Sequence, residues 1–220
     1  MNNQTKILIP TILFFAAAIA DVWGIINVNE TLKTIAKPML LTMLALVYLA
    51  SVKKPIFWYV LGMFFSFLGD VLLMFQGANF FMFGLASFLF AHVIYIKVTA
   101  GFLPKDLTVK MISSAFPFVV FLAALMYLIY PNLGDLLIPV IVYAITIATF
   151  GSVAFLNYRS EKSTENLWLF IGALIFILSD SLLALNKFYE PNEIYGVSIM
   201  VTYILAQFLI CKAMIVKTKC

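Results

Sequence analysis

Three aspartates sit where aspartate is costly. Asp21, Asp70 and Asp180 each interrupt an otherwise apolar run, as in FSFLGDVLLMF at 65–75, while the other seven acidic residues fall in polar connecting stretches. An ionised carboxylate at the centre of a bilayer costs roughly 2.5–3.5 kcal/mol even on the lenient insertion scale, so such a group faces a bundle interior or a wet cavity and marks function. Two carboxyls in an apolar site divide their roles. Burial favours the neutral acid, and a like-charged neighbour keeps one of the two protonated, so that an acid and a base coexist at one pH. Asp70 and Asp180 are the candidate pair: LGMFFSFLGDVLL at 61–73 and IGALIFILSDSLL at 171–183 share a Gly eight residues before the Asp, a small residue just before it and Leu-Leu two residues after.

Other polar side chains accompany them. His92, the single histidine, shares a helical sector of roughly 140° with Gly84, Ser87, Ala91 and Tyr95, and Tyr203 and Gln207 stand one turn apart. Asn186 lies six residues past Asp180, as Gln76 does past Asp70. These are candidates for holding substrate or water. Two Asp and one His lack the further His or Cys ligands that zinc needs, so no metal is expected. Ser66, Ser87 or Ser179 could enter a Ser-His-Asp triad, but no GxSxG elbow supports it. The structural alternative is that Asp70 and Asp180 bond hydroxyls and amides to lock helices together, worth on the order of 1 kcal/mol per contact in a membrane, with His92 a satisfied core residue. Cys211 and Cys220 read as a buried thiol and a tail rather than a disulfide.

The elements that position these residues follow from hydropathy. The 220 residues are 64% hydrophobic and 11% charged, with a mean hydropathy of +1.07, far from an ordinary soluble domain. Eight apolar runs, at about 7–26, 36–52, 56–75, 80–99, 111–130, 136–156, 167–186 and 194–214, each approach the roughly 20 residues that a spanning helix needs. Continuous rather than alternating apolarity excludes an outer-membrane barrel and calls for a helical bundle. The chain therefore reads as an all-α integral membrane protein of eight transmembrane helices in a single domain, with possible repeat halves at about 1–110 and 111–220. The 110-residue offset between the two Asp segments carries the repeat.

With a cytoplasmic N-terminus, eleven Lys and Arg face that side, Lys105 among them, against Lys33, Lys37 and Lys187 on the other. Both termini are thus expected inside, in a bacterial-type plasma membrane. The basic balance reflects this bias and an attraction to anionic headgroups, not a nucleic-acid partner. Lys6, the run from Ile7 and an Ala18-x-Ala20 site mimic a signal peptide, but the apolar run continues past that site to Ile26, so the first helix is expected to be retained. In this topology each of the three Asp lies about five to seven residues from the outer end of its span, which places them in one layer.

The combination of KP at 37–38, FSFLGDVLLM, FGLASFLFAHVIY at 83–95, IGALIFILSDSLLAL at 171–185 and YILAQFLI at 203–210 resembles the YhhN family of eight-helix membrane proteins, whose characterised vertebrate members are lysoplasmalogenases. The resemblance runs from about residue 37 to 210 and is weaker over the first span, which leaves Asp21 without a role. It implies hydrolysis of the vinyl ether bond of an alkenyl lysophospholipid to a fatty aldehyde and a glycerophospho-headgroup, with no cofactor. Paired carboxylates suit that chemistry: one protonates the vinyl β-carbon and the other stabilises the oxocarbenium ion and activates water, as in glycoside hydrolysis. His92, Tyr95, Tyr203, Gln207, Asn186 and Ser87 would orient the substrate or water. A proton-coupled carrier or flippase for lysolipids is the alternative from another class, since carboxylates within the membrane and repeated halves also serve transport.

Overall fold

The computed structural model describes residues 3–104 and 108–219; Lys105 and Cys220 lie outside them. The described residues form eight α-helices: α1 (Asn3–Ile26), α2 (Glu30–Ser51), α3 (Phe57–Leu72), α4 (Ala78–Ala100), α5 (Thr108–Ile129), α6 (Leu137–Ser160), α7 (Thr164–Phe188) and α8 (Glu193–Lys219). Two single 3₁₀ turns, Tyr130–Asn132 and Gly134–Leu136, join α5 to α6. Seven helices carry stretches long and apolar enough to cross a membrane, and α3 is a shorter apolar helix. The chain is a multi-pass integral membrane protein.

Local signals set the helix ends. The Asn29 side chain caps α2 by accepting from Leu32 N–H at 3.0 Å, and Ser163 caps α7 by accepting from Asn166 N–H, each satisfying one of the amides that a helix start leaves without a partner. Pro10, Pro38 and Pro117 lie inside α1, α2 and α5, as spanning helices tolerate when neighbours satisfy the freed carbonyls.

α3 departs from the 56–75 span read from hydropathy. It covers 16 residues, or about 24 Å of rise. Beyond Leu72 the chain tightens into turns in which Met74 and Phe75 donate to the carbonyls three residues back, those of Val71 and Leu72. Gly77 then takes a φ of +122°, open to glycine and strained for other residues. The apolar run is continuous, but its backbone is not. Asp70 consequently lies in the last turn of its helix, whereas Asp180 stands two turns before the end of α7, so the equal spacing from the helix ends expected above does not hold.

The helices belong to two compact units, divided within α4 and α8. The first comprises α1, α2, α3, α4 up to Ile94 and α8 from Cys211; the second holds Tyr95–Ile210. In the first, α1 packs along α2 and α2 along α3. Tyr48 ties this unit together: its hydroxyl accepts from Ile56 N–H at 3.0 Å, bonds the Thr218 hydroxyl at 3.0 Å, and its ring meets Tyr59 edge-on at 4.7 Å. In the second, α6 packs against α5 and α7. Buried Asn157 donates to the Thr99 carbonyl at 3.0 Å, and Ser179 donates to the Ile199 carbonyl at 2.9 Å, joining α7 to α8. A Cβ on Gly172 would lie 2.9 Å from Ile210 and 3.2 Å from the Ala206 carbonyl, so the missing side chain is what lets these two helices approach.

Candidate functional site

In the second unit Asp180 has a partner that the sequence did not single out. The Tyr143 hydroxyl donates to Asp180 Oδ2, a hydrogen bond between α6 and α7. The three-residue turn from Ser160 to Thr164 makes these helices antiparallel, so Tyr143, two turns into α6, stands level with Asp180. Both side chains are half-buried. They border a cavity of about 50 Å³, room on the order of one or two waters at ~30 Å³ each. Ser181 also lines it, its hydroxyl turned back to the Ile177 carbonyl at 2.7 Å, and the other walls are apolar, among them Phe118, Leu122 and Ile129 of α5, Val140 and Ile147 of α6, and Ile177 of α7. A phenol and a carboxyl converging on an apolar pocket form an acid–base arrangement, because either group can hold or pass a proton and little water competes.

The remaining candidates of this unit lie elsewhere or are engaged. Tyr203 and Gln207 meet as their one-turn spacing implies, with Gln207 Nε2 donating to the Tyr203 hydroxyl at 3.3 Å, and the Tyr203 ring stands edge-on to Phe176 at 5.5 Å. Neither lines the Asp180 cavity. Gln207 Oε1 is buried with no hydrogen-bond partner among the described residues. Tyr95 is buried, its ring 5.9 Å from that of Phe150. Asn186 uses Oδ1 to accept from Asn192 N–H at 2.9 Å, shaping the turn between α7 and α8.

In the first unit Asp70 is buried, as are Gly62, Ser66 and Gly69 on the same face of α3, the seam expected from their spacing. A Cβ on Gly69 would lie 2.6 Å from the Phe88 ring and one on Gly84 2.7 Å from Leu73, so glycines on both helices allow α3 and α4 to touch. His92 is fully buried and its Nδ1 pairs with the Phe88 carbonyl at 2.8 Å; since a carbonyl only accepts, Nδ1 carries the hydrogen. Ser87 donates to the Phe83 carbonyl of its own helix. Asp21 of α1 is 1% exposed, and neither carboxylate oxygen has a hydrogen-bond partner among the described residues. Cys211 is a buried free thiol, and no cluster of three or more His, Cys, Asp or Glu suited to a metal occurs among the described residues.

The YhhN family model matches residues 32–214, from the first turn of α2 nearly to the end of α8. The chain belongs to the YhhN family. Asp70, His92, Tyr143 and Asp180 fall inside the YhhN match and Asp21 outside it, which agrees with the weaker resemblance of the first span. The chain is 34% identical to lysoplasmalogenase TMEM86A of Homo sapiens over 154 residues, 68% of this chain and 61% of that protein. It is 29% identical to a lysoplasmalogenase of Mycobacterium tuberculosis (strain CDC 1551 / Oshkosh) over 177 residues, 77% of this chain and 66% of the other. The matches thus cover less than two thirds of the length of these relatives. No solved structure matches the chain.

Tyr143 is the residue that sequence reasoning passed over. Its signal was available: a phenol at the same distance from the α6–α7 turn as Asp180, counted along two helices that the short NYRSEKSTEN loop must make antiparallel.

Proposed function

We propose that this YhhN protein hydrolyses the vinyl ether bond of an alkenyl lysophospholipid. The observation that carries the reading is the Tyr143–Asp180 hydrogen bond at the edge of a mostly apolar cavity, in a chain whose relatives are named lysoplasmalogenases. In the proposed reaction the Asp180 carboxyl gives its proton to the β-carbon of the vinyl ether, and positive charge develops on the α-carbon and the ether oxygen. Water adds to the α-carbon and returns a proton to the carboxylate. The hemiacetal then breaks its bond to the glyceryl oxygen, releasing a fatty aldehyde and the glycerophospho-headgroup. One water is consumed, and no electrons leave the system. Tyr143 keeps the carboxyl in one rotamer and offsets the charge left after proton transfer. Asp70 stands as the candidate second carboxylate, a pairing suggested by the two like segments.

The topology proposed with it has both termini cytoplasmic, from the excess of Lys and Arg on that side. The test is aldehyde release by the purified full chain in detergent from a 1-alkenyl lysophospholipid, with the matched 1-acyl lipid as control. Aldehyde from the alkenyl lipid, lost in Asp180→Asn at wild-type expression, supports the reaction. Substrate moved across vesicles without cleavage would instead support the carrier reading.

A further inference from the structure

The Asp180 cavity has a neighbour. Phe118, Phe121 and Ile177 line it and also line a second, larger hollow of about 360 Å³, which lies along the same three helices and is bounded at its far end by Phe155 and Phe170. From Asp180 to Phe170 the path follows ten residues of α7, or about 15 Å of helix. That is about half of the ~30 Å hydrocarbon core, the depth that one lipid chain fills. Gly151 sets the position of two shared wall residues: a Cβ there would come within 2.5 Å of both Phe118 and Ile177, so only glycine leaves those side chains where they stand. The far end is closed. Phe155 and Phe170 stack at 4.7 Å, Tyr158 stacks on Phe170 at 6.0 Å, and the Arg159 guanidinium sits 5.6 Å from the Phe155 ring centre while donating to Ser113 and Ser114.

We infer that this groove between α5, α6 and α7 is the seat of the substrate's single hydrocarbon chain, with the stacked Phe155–Phe170 pair as the stop that measures its length. The inference rests on the reaction proposed above and adds the tail specificity of the same site. Three features select one unbranched chain. The hollow is lined by apolar and aromatic side chains throughout, it shares Phe118, Phe121 and Ile177 with the Asp180 cavity, and at its stop stands a charged guanidinium that a methyl end does not cross. A tail taken from the bilayer is already out of water, so chain selection here comes from fit and not from hydrophobic transfer. The vinyl ether, next to the headgroup, then lies at Asp180 with the tail leading away from it.

The test is a pair of readouts on the full chain in detergent. In the first, kcat/KM for aldehyde release is measured with hexadecenyl and octenyl lysolipids in wild type, Leu174→Trp and Leu178→Trp. Both leucines line the far hollow and are 40% and 47% exposed, so an indole is accommodated without crowding the core. The long-to-short ratio is expected to fall at least tenfold in Leu174→Trp, both lipids are expected to lose activity in Leu178→Trp, only two residues from Asp180, and neither value is expected to change in Ile112→Trp on the exposed face of α5. An unchanged ratio in Leu174→Trp overturns the inference. In the second readout, a lysolipid with a diazirine near the end of its chain is photolysed with the wild-type protein. Label on Phe155, Phe170, Leu174 or Leu178, competed by lysolipid but not by diacyl phospholipid, supports the groove even if no aldehyde is formed, and in that case the reaction alone is wrong. Label spread over the lipid-facing surface, or competed equally by diacyl lipid, overturns the groove while leaving any aldehyde release standing.

Discussion

α3 and α7 carry nearly the same local text around their aspartates and put it to different structural use. In α3 the helix stops at Leu72, Asp70 is 3% exposed, and the preceding Gly69 is a contact surface for the Phe88 ring. In α7 the helix runs on to Phe188, Asp180 stays half-buried beside a cavity with a phenol bonded to it, and the preceding Ser179 crosses to the Ile199 carbonyl. The difference arises after the shared Leu-Leu. MFQGAN passes through tight turns at Met74 and Phe75 and a glycine at φ +122°, whereas ALNKF continues with residues mostly at ease in a helix. A repeated segment thus repeats the placement of a carboxyl on a helix face, but not its surroundings.

The comparison can be broken most directly at the two acids. Asp180→Asn is expected to lower aldehyde release by about 10²–10⁴-fold, the range of a lost general acid. If Asp70→Asn loses as much, and the double variant loses no more than either alone, the two segments share one task; if Asp70→Asn retains activity but lowers the unfolding midpoint in detergent, the α3 copy is structural and the paired-carboxylate reading falls. Tyr143→Phe removes a hydrogen bond to an acidic group, worth about 1.5–3 kcal/mol when that group is charged, so a loss of roughly 10–100-fold in rate with an unchanged midpoint is expected. Unaltered turnover would remove Tyr143 from the site.

Packing variants sharpen the same contrast with smaller effects. Gly69→Val drives a side chain into Phe88 and is expected to cost about 1–3 kcal/mol of stability, read as a lower thermal midpoint in detergent. Gly77→Ala meets nothing closer than Phe80 at 3.8 Å, so its cost of about 1 kcal/mol comes from the backbone alone; no change there would mean that the connection from α3 to α4 does not need the positive φ. Asn186→Ala, at the corresponding turn after α7, loses one hydrogen bond to Asn192 N–H and is expected to cost about 0.5–1.5 kcal/mol with little effect on turnover.

Much of this was legible in residue types. Apolar run lengths located eight helices because lipid leaves a backbone few alternatives, and the buried Gly62, Ser66, Gly69 and Asp70 were readable as a face because 100° per residue is a fixed geometry. Asp180 drew notice because a carboxylate within a span is costly enough to need a reason. Ser87 and Asn186 show the limit. Their polarity suggested substrate contacts, yet one hydroxyl turns back to its own helix and one amide shapes a turn, choices that local geometry makes among partners of equal chemistry.

Composition and order alone therefore determined the solvent, the number of helices, the family and the rarity of the acids, since each follows from transfer energies and periodicities that act along the chain. Only the tertiary structure decided that α3 ends early, that Tyr143 is the partner of Asp180, and that glycine at 151 lets Phe118 and Ile177 pack against α6. Those facts depend on which side chains from distant positions share a few ångströms of space, and no periodicity within a single helix contains that information.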